Sequence, residues 1–259
     1  MTRLQSRSPQ PTPYRLRHLK FALLTLLPPI CCLCRQTHRQ PTFICNDCID
    51  ALHANLQACR FCAAPLTTGV SCHRCAHQQP LYMRTAAPFL MSGGMQTLIH
   101  QWKFEGKTQL SAVLASLLVK HLTIGKKPDY LIPVTSHWRR RWSRGFDQTW
   151  LLSNNLSYLT GIRTVQGLKR IRLGKRQHQL SRQDRKGNVQ GVFAATKRFN
   201  GGHIALIDDV ITTGATVEAA TRALLNAGAD SVEIWCLART PAPLITPYTA
   251  AAHRTIQAI

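Results

Sequence analysis

Two periods of hydrophobic positions run along this chain. Around Met95–Phe104, Leu110–Leu122, Thr149–Leu159 and Val217–Ala227 the apolar residues recur at helical spacing. Shorter apolar runs at 128–134, 191–195, 204–207 and 232–238 predict strands. Gly228 follows the last helical pattern where a left-handed stop is needed. Strands alternating with helices predict an α/β fold, a doubly wound and mostly parallel sheet. Ligands of such sheets bind at the carboxyl ends of the strands. Residues 241–259 show no trusted period and are expected to form a C-terminal extension.

The amino-terminal third has a different pattern. Arg15, Arg17 and Lys20 precede the apolar run Phe21–Leu27, an arrangement superficially like a signal peptide. The run is short, meets Pro28-Pro29 and lacks a small-residue cleavage site. It is read as a short amphipathic helix in a basic segment, residues 1–28, of a cytoplasmic protein. No apolar run reaches the roughly 18–20 residues of a membrane span.

Nine of the ten cysteines then fall between Cys31 and Cys75. Eight of them form four Cys-x₂-Cys pairs: Cys31/Cys34, Cys45/Cys48, Cys59/Cys62 and Cys72/Cys75. Each pair presents two thiolates to one ion, and two pairs complete a tetrahedral site. Two structural Zn ions are expected. The gaps suit two consecutive zinc ribbons, although a cross-braced pairing is also compatible with the spacing. Cys32 falls outside the rule, and His38, His53, His73 and His77 are not needed as ligands. A segment of about 50 residues builds little core of its own, so metal substitutes for one. The double zinc-ribbon module is placed at 29–80, with a boundary near Gln78-Gln79-Pro80. Cys236, in an apolar strand, is a core residue.

Charge adds a partner. The formal net charge is +22, and residues 126–198 carry 17 basic and 3 acidic side chains. Such an excess favours nucleic acid, an anionic membrane surface or polyphosphate ligands. One dense cluster is Arg139, Arg140, Arg141 and Arg144, whose guanidinium forks suit phosphate. Trp138 and Trp142 accompany it, as packing residues or base-stacking platforms. The other cluster, Arg170, Arg172, Lys175 and Arg176, is the candidate nucleic-acid face.

The chemistry concentrates in His203–Thr216. An apolar strand meets Asp208 and Asp209, then the small loop Thr212-Thr213-Gly214-Ala215-Thr216, then a helix. The free amides of a helix start form a phosphate site. Paired carboxylates accept hydrogen bonds from sugar hydroxyls, directly or through Mg²⁺. The stretch resembles the phosphoribosyl pyrophosphate (PRPP) signature of type I phosphoribosyltransferases. That resemblance implies ribose hydroxyls on Asp208 and Asp209, and the 5′-phosphate on Thr212, Thr213, Gly214, Ala215 and Thr216.

The chain as a whole resembles the ComF family of phosphoribosyltransferase-like competence proteins. The matching pieces are Leu26–Cys31 with the cysteine pairs, Leu98-Ile-His-Gln-Trp-Lys-Phe104, Arg144-Gly-Phe-Asp-Gln148, Gln177–Arg185 with Asn188, and the Asp208–Thr216 signature. Asp147 departs from the family's asparagine. The resemblance implies a type I phosphoribosyltransferase-like domain over 81–240 and a role in DNA uptake and natural transformation. It implies PRPP with Mg²⁺ and single-stranded DNA as ligands, and a DNA-uptake helicase and a recombination mediator as partners. Arg139, Arg140 and Arg144 become candidates for stabilising departing pyrophosphate; no acceptor is named. Three readings stay open: phosphoribosyl transfer linked to DNA, a silent PRPP-sensing and DNA-binding module, and nucleobase salvage. The charge and the ribbons disfavour the last, since neither helps to bind a small neutral base.

Overall fold

The computed structural model describes residues 28–40, 42–135, 146–171 and 191–241. These form two compact units that divide between Leu52 and His53.

In the first unit an antiparallel bridge joins Ile30 to Thr37. Helix α1 (Asn46–Asp50) starts directly after Cys45. The second unit begins with the same design: an Ala58–Pro65 bridge, then α2 (His73–His77) directly after Cys72. The two cysteine segments are thus successive copies of one supersecondary unit. The second copy lies in the same compact unit as the large sheet.

Among the described residues the large sheet has five strands, all paired in parallel. Its central strands are β6 (His203–Ile211) and β7 (Ser231–Arg239), with β3 (Tyr130–Pro133) beside β6. The far edge of β7 is covered by two short strands, β1 (Thr85–Ala86) and β2 (Phe89–Leu90). Pro88 separates them: proline has no amide to donate to the ladder. Beyond β3, Leu131 exchanges backbone hydrogen bonds with Arg163 and Val165. A separate antiparallel pair joins β4 (Leu168–Arg170) to β5 (Phe193–Ala195).

Both sheet faces are covered, which is why β6 and β7 are apolar at successive positions rather than alternate ones. Ile204, Leu206, Ile234 and Cys236 pack with Val217, Ala220 and Leu224 of α6 (Ala215–Asn226). The alternate positions Leu131, Ala205, Ile207, Trp235 and Leu237 are buried outside that cluster. Helices α4 (Leu110–Lys120) and α5 (Gln148–Thr160) pack on each other and against β7, β3 and β6. Helix α3 (Gly93–Phe104) buries Met95, Leu98, Ile99 and Trp102 in the same interior. Each large apolar side chain so buried contributes about 1.5–3 kcal/mol. The one acid buried in β7, Glu233, is fully engaged: Arg84 Nε donates to it at 2.6 Å and Trp235 Nε1 at 2.9 Å.

The expected fold class is the one observed. Helices α3 to α6 and strands β3, β5, β6 and β7 lie where the periodicity places them. Three differences have physical reasons. β1 and β2 are too short to show a period, and exist because β7 offers a free edge. β4 is three residues long and carries two cations, so only its pairing with β5 makes it a strand. β6 runs past Ile207 and through both aspartates, because β7 keeps pairing with it as far as Ile211–Arg239.

Gly228 ends α6 with φ +98°, and Ala229 and Gly228 donate to the carbonyls of Leu224 and Leu225. A Cβ at Gly228 would sit 2.2 Å from the Phe199 carbonyl oxygen. Gly228→Ala therefore combines backbone strain with a backbone clash. We expect it to cost about 2 kcal/mol or more in urea unfolding.

Candidate functional site

The site is built at the carboxyl end of β6. β3 pairs with β6 only as far as Pro133–Ile207, whereas β7 continues to Ile211–Arg239. Asp208 and Asp209 thus lie on a part of β6 that β3 no longer flanks. The loop Thr212-Thr213-Gly214 follows, with both threonines exposed. Gly214 caps α6 at φ +83°, a left-handed turn that a side chain would strain. The first intrahelical bond runs from Glu218 N to Gly214 O, so the amides of Ala215, Thr216 and Val217 precede the ladder. Thr213 Oγ1 accepts from Ala215 N at 3.4 Å. The sequence-predicted residues Asp208, Asp209, Thr212, Thr213, Gly214, Ala215 and Thr216 therefore share one strand–loop–helix turn. The arrangement can receive a phosphate on the amides and hydroxyl groups on the acids.

Asp208 and Asp209 differ in electrostatic state. Burial, and then the neighbouring Asp209 carboxylate, push Asp208 up to about 8. The Asp209 amide, which donates to Asp208 Oδ1 at 2.9 Å, opposes this, as do Lys103 and Arg170. Asp209 instead has a partner: Lys103 Nζ lies 2.7 Å from its Oδ2, both side chains being less than one-fifth exposed. Near neutrality the site thus holds one proton and one ion pair rather than two bare carboxylates.

Lys103 was not singled out by sequence reasoning. It sits within Leu98–Phe104, and only folding shows that α3 reaches β6. Two arginines were missed for the same reason. Arg74, between Cys72 and Cys75, donates to the Thr213 carbonyl at 2.6 Å. Arg239, at the end of apolar β7, donates to the carbonyls of Ile211 and Thr212.

Of the basic candidates, Arg139, Arg140, Arg144, Arg172, Lys175 and Arg176 lie outside the described residues, as do Trp138 and Trp142. Arg170 is described. It ends β4, with its guanidinium 5.5 Å from the Phe193 ring centre and its charge favouring ionised Asp208. A cavity of about 310 Å³ opens at the end of β3, lined by Pro133, Thr135, Phe146, Asp147, Trp150 and Gln166, among others. Asp147 caps α5 there: its Oδ1 accepts from Thr149 Oγ1 at 2.8 Å and Trp150 N at 3.3 Å. An asparagine has the same acceptor for these bonds, so the acid fits this helix start without altering it.

The cysteines form two groups of four, Cys31/Cys34/Cys45/Cys48 and Cys59/Cys62/Cys72/Cys75, each with all sulfurs within 4.8 Å of one another. This is the consecutive arrangement, not the cross-braced one. Cys34 and Cys45 sulfurs are 3.8 Å apart, and those of Cys62 and Cys72 3.6 Å. A tetrahedral ion with bonds of about 2.3 Å separates its sulfurs by about 3.8 Å. The donor set fits Zn²⁺ with no vertex left for a substrate. Burial alone would raise the Cys31 thiol, but amides of Cys45, Cys34 and Leu33 outweigh it and bring the group down to about 6.

Residues 22–76 match the Double zinc ribbon domain family, and residues 163–253 the Phosphoribosyl transferase domain family. DNA utilization protein YhgH of Salmonella typhimurium is 32% identical over 223 residues, which are 83% of this chain and 98% of that protein. The chain belongs to the ComF family. Competence protein F of Haemophilus influenzae is 28% identical over 221 residues, 81% of this chain and 96% of its own. A solved adenine phosphoribosyltransferase of Leishmania tarentolae overlays 54% of this chain and 74% of its own, at TM-score 0.35 and 14% identity. Among the described residues no helix is long and apolar enough to cross a membrane. This ComF-family chain thus joins a double zinc ribbon to a type I phosphoribosyltransferase domain.

Metal analysis should find about two Zn per chain, and Cys75→Ser should lower this to about one. The raised Asp208 makes a second, independent prediction. Unfolded, it titrates near 4; folded, it holds its proton to about 8. Between these values the folded chain binds the extra proton, so stability falls as pH rises through the window. Asp208→Asn removes that dependence. Its melting temperature should exceed the parent's at about pH 8.5 and nearly match it at about pH 4.5.

Proposed function

We propose that this ComF-family protein binds PRPP at the carboxyl end of β6 and single-stranded DNA on its basic surface, acting in the cytoplasm in DNA uptake and natural transformation. One observation carries the reading: an acid pair and the open amides of a twelve-residue helix meet on a single strand–loop–helix turn. Acids alone would suit a metal, and amides alone any phosphate. Together they suit a sugar phosphate, with the phosphate on α6 and hydroxyls one loop away.

In this reading Thr212, Thr213, Gly214, Ala215 and Thr216 hold the 5′-phosphate. Asp208 and Asp209 accept from the ribose hydroxyls. Lys103 holds Asp209 in place, and adds positive charge where a polyphosphate arrives. Arg139, Arg140 and Arg144 stabilise the departing pyrophosphate. Bound Mg²⁺ would screen the pyrophosphate oxygens, and the carboxylate and phosphate oxygens are the hard donors that this ion prefers. If turnover occurs, the anomeric C–O bond to pyrophosphate breaks and a bond from the acceptor nucleophile to that carbon forms. The DNA strand lies along Arg170, Arg172, Lys175 and Arg176, and a helicase and a recombination mediator are the partners that deliver and receive it. The name of the YhgH relatives and the +22 charge both support a nucleic-acid role.

Calorimetry with PRPP and Mg²⁺, with and without a short single-stranded oligonucleotide, tests this. Binding is expected in the parent and absent in the Asp208→Asn/Asp209→Asn variant, which should keep its DNA affinity. No PRPP binding by the parent refutes the site. Pyrophosphate release only with DNA marks a DNA-linked transferase; PRPP binding without release marks a sensing module; release with a free base marks salvage.

A further inference from the structure

We infer that Arg74 and Arg239 are positioning residues through which the second zinc ribbon sets the shape of the phosphate loop. The inference rests on the reading that residues 212–216 hold the phosphate of PRPP.

The geometry is specific. Arg239 is 7% exposed, at the last position of β7. Its Nε donates to the Cys62 carbonyl at 3.0 Å, inside the second zinc group. Its Nη1 donates to the Ile211 carbonyl at 2.8 Å and to the Thr212 carbonyl. Arg74 stands between the ligands Cys72 and Cys75, its guanidinium reaching the Cys75 thiol. Its Nη1 donates to the Thr213 carbonyl at 2.6 Å. Two guanidinium groups thus tie the ribbon to three consecutive carbonyls of the loop.

Peptide planarity turns this into a statement about the ligand. In a trans peptide the carbonyl of one residue points opposite to the amide of the next. Guanidinium groups on the carbonyls of Ile211, Thr212 and Thr213 therefore turn the amides of Thr212, Thr213 and Gly214 the other way. Successive amides facing one side form an anion-binding nest. Here the nest runs into the open amides at the start of α6. Neither arginine needs to touch the phosphate, yet both orient the groups that do, and their charge lies behind it. The ribbon gains a function beyond substituting for a core. Its four cysteines fix Cys62 and α2, and these fix the two arginines. Gly214 completes the arrangement: a Cβ there would meet Arg74 Nη2 at 3.5 Å and the Tyr82 hydroxyl at 3.6 Å.

The test compares the full-length zinc-loaded protein with Arg74→Ala, Arg239→Lys and Cys72→Ser. Arg74 is exposed, so Arg74→Ala should keep two Zn and the parent melting temperature. Two readouts are needed. Amide hydrogen exchange over 212–216 in the ligand-free protein reports loop order whatever the ligand is. It should accelerate about tenfold or more in all three variants. PRPP affinity with Mg²⁺ should fall by about tenfold in Arg74→Ala and further in the other two. Arg74→Lys, which restores a single donor, should recover part of both. Unchanged exchange in Arg74→Ala, with zinc and fold intact, overturns the inference even if Arg239→Lys fails to fold. If the parent does not bind PRPP, the phosphate reading fails by itself, and the exchange data still decide whether the ribbon orders the loop.

Discussion

The parallel ladder between β6 and β7 is the interaction on which the rest depends. It runs from His203–Ser231 to Ile211–Arg239, beyond the point where β3 stops. That overhang carries Asp208 and Asp209 out to the sheet's carboxyl edge and delivers the chain to the start of α6. It also places Arg239 beneath the loop that it helps to build. A shorter pairing would leave the acids on an unsupported turn. The buried Ile204, Leu206, Ile234 and Trp235 keep the register, because a slip of one residue would exchange the faces of every side chain.

Within this frame electrostatics assigns unlike states to two adjacent acids. Asp208 loses solvent and faces a like charge, so it keeps a proton. Asp209 instead pairs with Lys103. A chain with a charge of +22 thus presents a site that is not simply basic: two adjacent acids, of which Asp208 keeps a proton, cations from α3 and β4 close by, and helix amides one loop away.

The zinc ribbons illustrate how a small module that cannot form much core becomes part of a larger one. Cys59, Cys62 and Cys75 are almost fully buried, with Phe61, Ala64 and Leu66 packed around them. Ala58 and Ala63 belong to the same apolar cluster as the sheet and α6. The second copy of the repeat is therefore continuous with the domain that carries the Thr212–Thr216 loop. Two copies of nearly the same local design have different surroundings in sequence, and only one of them carries an arginine between its third and fourth cysteines: Arg74, where the first copy has Asp47.

Much of this was legible in the linear chain, for local reasons. The fold class followed from periodicity, since a helix or buried strand imposes its repeat on contiguous residues. The zinc groups followed from Cys-x₂-Cys spacing, since each knuckle is a local turn. Asp208 to Thr216 lie within nine consecutive positions, so the acid pair and helix start could be seen together. The roles of Lys103, Arg74 and Arg239 were not legible. Each acts across more than one hundred positions or, for Arg239, joins Cys62 to Ile211, and nothing in a cation's neighbours in sequence reveals what it meets in space. The consecutive rather than cross-braced cysteine pairing was also left to the fold, because four equal knuckles carry no label of their partner. Local sequence determined the elements and the chemistry each one bears. Tertiary packing decided which of those groups face one another, because only the closed sheet with helices on both faces brings distant side chains within a hydrogen bond.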